Sequence, residues 1–171
     1  IHITEKGMDY LEDYVKQVRE VAGYEVPLAI DHFGHVAMED CIKFAKKPRL
    51  QIEVPVSTVQ MEYLYHVKAD KMLEKIASLT KEAKALCSDV EFSALDATRA
   101  DEDFLIKAVK AAEENGADVI TICDDAGVSL PSEIADLVKK VKNAVAIPVY
   151  VELSNRINMA VASACEVIKA G

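Results

Sequence analysis

The chain has 171 residues, of which 51% are hydrophobic and 29% are charged, and its formal net charge is −9 at pH 7. This length and composition are typical of one folded domain with a sizeable core, not of a disordered chain. The acidic balance, with no long basic run, argues against nucleic acid as a partner. The apolar runs are too short for a membrane-spanning helix, so we predict no membrane partner either.

The four cysteines and the first residues indicate a cytoplasmic protein. Cys41, Cys87, Cys123 and Cys165 lie far apart in the sequence, a spacing that fits neither a zinc site nor a compact disulfide framework. We expect buried free thiols in a reducing compartment. Residues 1–10 carry no cationic head followed by an apolar block, so no signal peptide is predicted there.

Apolar periodicity in the first half of the chain predicts alternating helices and strands. In chain order these are a helix at residues 7–22, a short buried strand at 27–31, a helix at 37–46, a strand at 49–56 and a helix at 69–86. The helix at 69–86 is the clearest of them, because its apolar residues recur at helical spacing along one side.

The second half continues the alternation. Its predicted elements are a strand at 90–94, a helix at 101–115, a strand at 117–123, a helix from Pro131 to about residue 143, a strand at 147–151 and a helix at 156–170. The strand at 117–123 hardly alternates between apolar and polar residues, which indicates burial on both faces. Gly116 is typical of a residue just past a helix end.

This pattern predicts parallel strands joined by right-handed crossovers, as in a doubly wound sheet or a TIM barrel. Each strand ends at or near an acidic residue, and these residues are Asp31, Glu53, Asp96, Asp124 and Glu152. Such residues favour the barrel, because its active face is built from the carboxyl ends of its strands. We therefore predict an α/β fold, a partial TIM-type barrel with five parallel strands alternating with six helices, in one domain of residues 1–171.

Two segments resemble known enzyme families. Residues 21–35 (VAGYEVPLAIDHFGH) and 39–42 (EDCI) carry a resemblance of residues 7–47 to the mandelate racemase branch of the enolase superfamily. That resemblance implies that Asp31 is the first of three carboxylates that bind magnesium. Within the single domain, we therefore expect an enolase-superfamily-like segment at 1–47.

The rest of the chain resembles the family of isopropylmalate synthase, homocitrate synthase and hydroxymethylglutaryl-CoA lyase. The resemblance covers residues 50–171 and is carried by residues 92–99 (FSALDATR), 121–127 (TICDDAG), 154–155 and 158–162. It implies that a carbon–carbon bond is made or broken next to a carboxylate, with a divalent metal. The two resemblances follow each other in the register of a single barrel, one at residues 1–47 and the other at 48–171. This arrangement predicts either a chimera of two families or a sequence from which residues near Lys47 are missing.

This sequence departs from the second family at its metal site. In that family an Asp on the first strand and a His-x-His pair ending the sixth strand hold the metal. Here the pair reads Glu152-Leu153-Ser154, and the residue at the position of a further histidine is Gln60. The acid expected before Asp96 is Leu95.

Hard oxygen ligands at one face of a barrel are suited to magnesium or manganese. We predict a divalent metal at Asp31, Glu53 and Glu152, with Asp96 as an alternative ligand. The structural alternative is that such acids cap the helices that follow them.

Further residues near the strand ends are candidates for catalysis and substrate binding. Asp96, Asp124 and His32 are the predicted catalytic residues, and loop packing is the alternative for His32. Arg99 is predicted to bind a substrate carboxylate, or else to pair with Asp96 or Asp101. Asn155 is predicted to bind a substrate oxygen, or else to cap the last helix.

The functional prediction is a barrel enzyme, acyltransferase or lyase, acting on a small 2-oxo or hydroxy acid. One alternative is an enolase-superfamily racemase or acid-sugar dehydratase. Another is an inactive chimeric or designed barrel fragment. Since five units leave two sheet edges open to pairing, we also predict a homo-oligomer.

Overall fold

The computed structural model describes residues 4–26 and 48–171. The chain divides into two compact units, Ile1–Pro48 and Arg49–Gly171. In the first unit, helix α1 spans Glu5–Ala22 and begins earlier than predicted. It does so because the Thr4 hydroxyl accepts a hydrogen bond of 3.2 Å from the Gly7 N–H and caps the helix. The strand predicted at 27–31 and the helix predicted at 37–46 lie outside the described residues.

A parallel four-stranded sheet is the framework of the second unit. Its strands are β1 (Leu50–Pro55), β2 (Val90–Leu95), β3 (Val119–Asp124) and β4 (Val149–Leu153). They lie side by side in chain order, β1-β2-β3-β4. Leu50 pairs with Val90, and Asp124 pairs with Leu153, so the carboxyl ends of all four strands meet at one edge.

The helices of this unit alternate with the strands. They are α2 (Ala69–Leu86), α3 (Glu102–Glu114), α4 (Pro131–Ala144) and α5 (Ala160–Ala170). Each packs against the next one along the chain. A doubly wound sheet would reverse its strand order at a switch point, whereas this sheet does not. The predicted α/β fold with a partial barrel is therefore confirmed.

The helix-facing side of the sheet forms the apolar core. Phe92 and Ala94 of β2 and Ile120 and Ile122 of β3 are fully buried there. The alternate residues of each strand point to the other face, which is polar. Gln51 Nε2 donates to Ser93 Oγ at 2.8 Å across β1 and β2, and Thr121 Oγ1 donates to Glu91 Oε1 at 2.5 Å across β2 and β3.

Besides the start of α1, three features of the structure differ from the sequence expectations. The last helix begins at Ala160 and not at 156, because Asn158 adopts a left-handed conformation, with φ of 60°, just before it. A π-helix at Val59–Leu64 was not predicted. Cys87 and Cys123 are buried as expected, but Cys165 is exposed, and Cys41 lies outside the described residues. No helix in the described ranges is long and apolar enough to cross a membrane.

At the amino-terminal end of the sheet, Asp118 joins three elements. Its two carboxylate oxygens lie 2.6 and 2.8 Å from Lys84 Nζ of α2, and the Val90 N–H of β2 donates to it at 2.8 Å. Burial by itself raises the pKa of the Asp118 carboxyl, but the hydrogen bonds from Lys84 and Val90 and the Lys84 charge outweigh burial and lower it.

We expect Asp118→Asn to reduce the free energy of unfolding by about 1 kcal/mol at pH 7, since a pair this exposed is screened by water. A lowered folded-state pKa contributes stability that is fully present above the ordinary value of 3.8 and is lost as the pH falls below it. Urea unfolding should therefore show the difference from the wild-type chain shrinking as the pH approaches 3. Asp136→Asn, at an exposed helix position, is the matched control; an equal loss there would contradict the assignment.

Within the described part of the chain, helix α2 buries one hydroxyl group without a hydrogen-bond partner. Thr80 is fully buried, and its Oγ1 forms no hydrogen bond with any residue that the structure describes. An unpaired buried hydroxyl costs about 1 kcal/mol or more, so we expect Thr80→Val, which keeps the side-chain shape, to raise the free energy of unfolding by about 1 kcal/mol. Chemical denaturation measures this, with Thr58→Val at an exposed position as the control. A loss of stability in Thr80→Val would contradict the prediction.

Candidate functional site

The carboxyl edge of the sheet is organised around Asp96, the first residue after β2. Its backbone is left-handed, with φ of 57° and ψ of 34°, a conformation that Asp tolerates better than most residues. The chain there leaves the strand and turns into a short 3₁₀-helix, Ala97–Arg99. The Asp96 side chain is fully buried.

Arg99 pairs with this buried carboxylate through two parallel hydrogen bonds. Arg99 Nε donates to Asp96 Oδ1 and Arg99 Nη2 donates to Asp96 Oδ2, each at 2.7 Å. The hydrogen bond to Asp96 raises the pKa of the guanidinium further above its already high ordinary value. The Arg99 side chain is 43% exposed, and its Nη1 makes no hydrogen bond to the described residues. The guanidinium is thus fixed on one side and open on the other.

Ser57, in the loop after β1, completes the contacts of Asp96. Its hydroxyl donates to Asp96 Oδ2. Since the Gln60 N–H donates to Ser57 Oγ at 3.2 Å, the hydroxyl is oriented with its own hydrogen toward the carboxylate. Ser57 is itself fully buried. The loop after β1 and the end of β2 are therefore joined through one carboxylate.

The loop after β3 is joined to the same cluster by two adjacent acids. Asp124 is buried, and its Oδ1 accepts hydrogen bonds from the Thr98 hydroxyl at 2.8 Å and from the Gly127 N–H at 3.2 Å. Asp125 accepts from the backbone N–H of Asp96 through its Oδ2. The two carboxylates leave the strand in different directions, as expected for neighbours at a strand end.

The loop after β4 approaches this edge closely. Gly127 has φ of 63°, and a Cβ built on it would lie 2.6 Å from Ser154 Oγ, so only glycine fits there. Asn155 Oδ1 accepts from the Ala160 N–H at 3.2 Å, at the start of α5. This hydrogen bond supports helix capping, the alternative role predicted for Asn155. Substrate binding by Asn155 remains a prediction.

Cys123 lies on the polar face beside a carboxylate. Its Sγ donates to Glu152 Oε2 at 3.7 Å. Burial, with the nearby charges of Glu152, Asp125 and Glu53, raises the thiol pKa to about 12. The thiol therefore stays protonated at neutral pH, which removes the nucleophilic form.

The structure brings some of the predicted site residues together and not others. Asp96, Arg99 and Asp124 belong to one cluster, and Arg99 pairs with Asp96, while Asp101 instead caps α3 by accepting from the Phe104 N–H at 2.9 Å. Glu53 lies within β1 and not at its end, and Asp31 and His32 lie outside the described residues. The sequence reasoning missed Ser57, Thr98 and Asp125, whose contacts cross between loops.

A divalent metal does not fit the described residues. Both Asp96 oxygens are already taken by Arg99 and Ser57. No three His, Cys, Asp or Glu side chains within residues 4–26 and 48–171 are grouped so that they hold an ion. Metal binding by Glu53 and Glu152 therefore remains a prediction, because the described residues supply no third ligand beside them.

Comparisons with known proteins match this chain to one family. The family model described as HMGL-like matches residues 5–171. The chain is 32% identical over 136 residues to the 2-isopropylmalate synthase of Ruminiclostridium cellulolyticum, which covers 77% of this chain and 27% of that protein. It is 37% identical over 122 residues to the (R)-citramalate synthase of Methanocaldococcus jannaschii, covering 71% of this chain and 25% of that protein.

Solved structures show the same fold. The crystal structure of hydroxymethylglutaryl-CoA lyase from Pseudomonas aeruginosa superposes with a TM-score of 0.67 at 12% identity, covering 83% of this chain and 53% of that one. An identity this low shows the fold alone.

The extent of the match also bears on the two-family expectation. The chain spans 27% and 25% of the length of the two curated relatives. The comparisons do not support the enolase-superfamily resemblance of residues 7–47, since one family model runs through that segment. From residue 5 to its last residue, the chain belongs to the HMGL-like family.

Proposed function

We propose that this chain is part of an enzyme that forms or cleaves a carbon–carbon bond next to the carboxylate of a small 2-oxo or hydroxy acid. The observation that carries the proposal is the Arg99 guanidinium, held by a buried carboxylate at the carboxyl edge of the sheet with Nη1 open. Active sites of barrel enzymes are built at this edge. The family supports the reaction class, since its members similar to this chain include synthases and lyases.

Arg99 is proposed to bind the substrate carboxylate. A guanidinium recognises carboxylates through charge-assisted hydrogen bonds, which are roughly twice as strong as neutral ones. The pair with Asp96 fixes its orientation before a ligand arrives, so less conformational entropy is lost on binding. Asp96 thereby acts as a positioning residue for Arg99; a direct catalytic role for it remains a prediction.

Asp124 is proposed as the proton acceptor of the site. Its Oδ1 is occupied by Thr98 and Gly127, which leaves Oδ2 without a hydrogen bond from the described residues. A carboxylate held on one oxygen presents the other in a fixed direction, which suits a general base. His32 stays a predicted catalytic residue outside the described part of the chain. The predicted divalent metal is not part of this proposal, and no step above depends on it.

Arg99→Gln should weaken the binding of pyruvate, the simplest 2-oxo acid, by roughly 10- to 100-fold, the loss expected for a hydrogen bond to a charged group. Isothermal titration calorimetry measures the Kd. Arg49→Gln, at the amino-terminal end of β1, makes the same charge change far from the proposed site and should leave the Kd unchanged. Absence of pyruvate binding by the wild-type chain, or equal binding by Arg99→Gln, would contradict the proposal.

We also propose that the chain forms a homo-oligomer in the cytosol. Within the described residues, β1 and β4 each have a neighbouring strand on one side only, and open edges favour pairing with another copy. Light scattering should give a mass that is a multiple of the 18.8 kDa of one chain. A monomer at that mass would refute the oligomer without bearing on Arg99.

A further inference from the structure

We propose that the Arg99 guanidinium, in place of a divalent metal, is the resident cation at the carboxyl edge of this sheet, and that a small carboxylate binds there without metal. The choice of a carboxylate as the ligand rests on the proposed function. The identity of the resident cation rests on the contacts of the edge itself.

The first support is that both carboxylate oxygens of Asp96 already accept hydrogen bonds. Its carboxylate accepts three hydrogen bonds, two from Arg99 and one from Ser57, and it is fully buried. A magnesium ion needs ligand oxygens at about 2.0–2.1 Å in octahedral geometry, so it would have to displace a donor from Asp96. Displacing Arg99 would separate a buried ion pair, which is strongly destabilising.

The second support is the residues that replace expected metal ligands. The resemblance places histidines at the positions of Glu152, Ser154 and Gln60. Ser154 packs against Gly127, and the Gln60 N–H supports Ser57, so both have structural contacts in this chain. Glu152 accepts the Cys123 thiol hydrogen. Within the described ranges, these residues assemble no group of three ligands.

The third support is the supply of hydrogen-bond donors to the carboxylates of the cluster. The single positive charge of Arg99 compensates the buried Asp96 carboxylate. Asp124 and Asp125 are supplied with hydrogen-bond donors from Thr98, Gly127 and the Asp96 backbone. Both buried carboxylates, Asp96 and Asp124, therefore receive hydrogen bonds from the protein itself. The open Nη1 then offers an incoming carboxylate oxygen a hydrogen-bond donor that is held in a fixed position.

Two measurements on the full chain test the proposal. Electron paramagnetic resonance of Mn²⁺ reports binding through loss of the free-ion signal. It should be run on the wild-type chain, on Glu53→Gln and Glu152→Gln, and on Glu114→Gln as an exposed control at the opposite end of the sheet. Calorimetry with pyruvate should be run in EDTA and in Mg²⁺. We expect no Mn²⁺ binding at this edge, and pyruvate Kd values that agree within about twofold between the two buffers.

The outcomes separate this inference from the proposed function. Mn²⁺ bound by the wild-type chain and lost in Glu152→Gln or Glu53→Gln, but kept in Glu114→Gln, would overturn the inference. So would pyruvate binding that requires Mg²⁺, although the proposed substrate class would then stand. Equal Mn²⁺ binding by the wild-type chain and all variants would mean that the ion binds elsewhere in the chain, which agrees with the inference. If pyruvate binds in neither buffer, the proposed function fails, and the Mn²⁺ titration alone decides the identity of the resident cation.

Discussion

The buried carboxylate of Asp96 is the constraint on which this edge of the molecule depends. A charge removed from water costs several kcal/mol unless a partner and hydrogen bonds compensate it. Here one guanidinium and one hydroxyl provide that compensation, and each comes with a structural requirement. The chain must turn through a left-handed conformation to bring Arg99 back onto Asp96, and the loop after β1 must deliver Ser57. The local geometry of two loops follows from one carboxylate.

The strand order makes this convergence possible. Because neighbours in sequence are neighbours in the sheet, the loops after β1, β2 and β3 emerge side by side at the same edge. Helices fill the space along the apolar face, and the other face keeps a polar layer that includes Gln51, Ser93 and Thr121. A barrel interior is commonly filled by branched apolar residues, so this polar layer is a distinct property of the chain.

Much of the fold could be predicted from the sequence, because helix and strand periodicity is local. The helix Ala69–Leu86 matches its predicted bounds, and the strand after Gly116 is buried on both faces as its lack of alternation indicated. The π-helix at Val59–Leu64 could not be predicted, since no short-range pattern marks one. Asp96 and Arg99 were identifiable from their position after a strand. Ser57 and Asp125 were not, because their roles arise only from contacts between loops.

The Asp96 cluster also bears on how the molecule reaches its working state. Its members come from three successive β/α units: Ser57 follows β1, Asp96 and Arg99 follow β2, and Asp125, which accepts from the Asp96 N–H, follows β3. A sheet without β1 would leave the carboxylate without Ser57, and a sheet without β3 would leave the Asp96 N–H without Asp125. The full set of contacts from Ser57 to Asp125 is therefore present only when β1, β2 and β3 are paired in register.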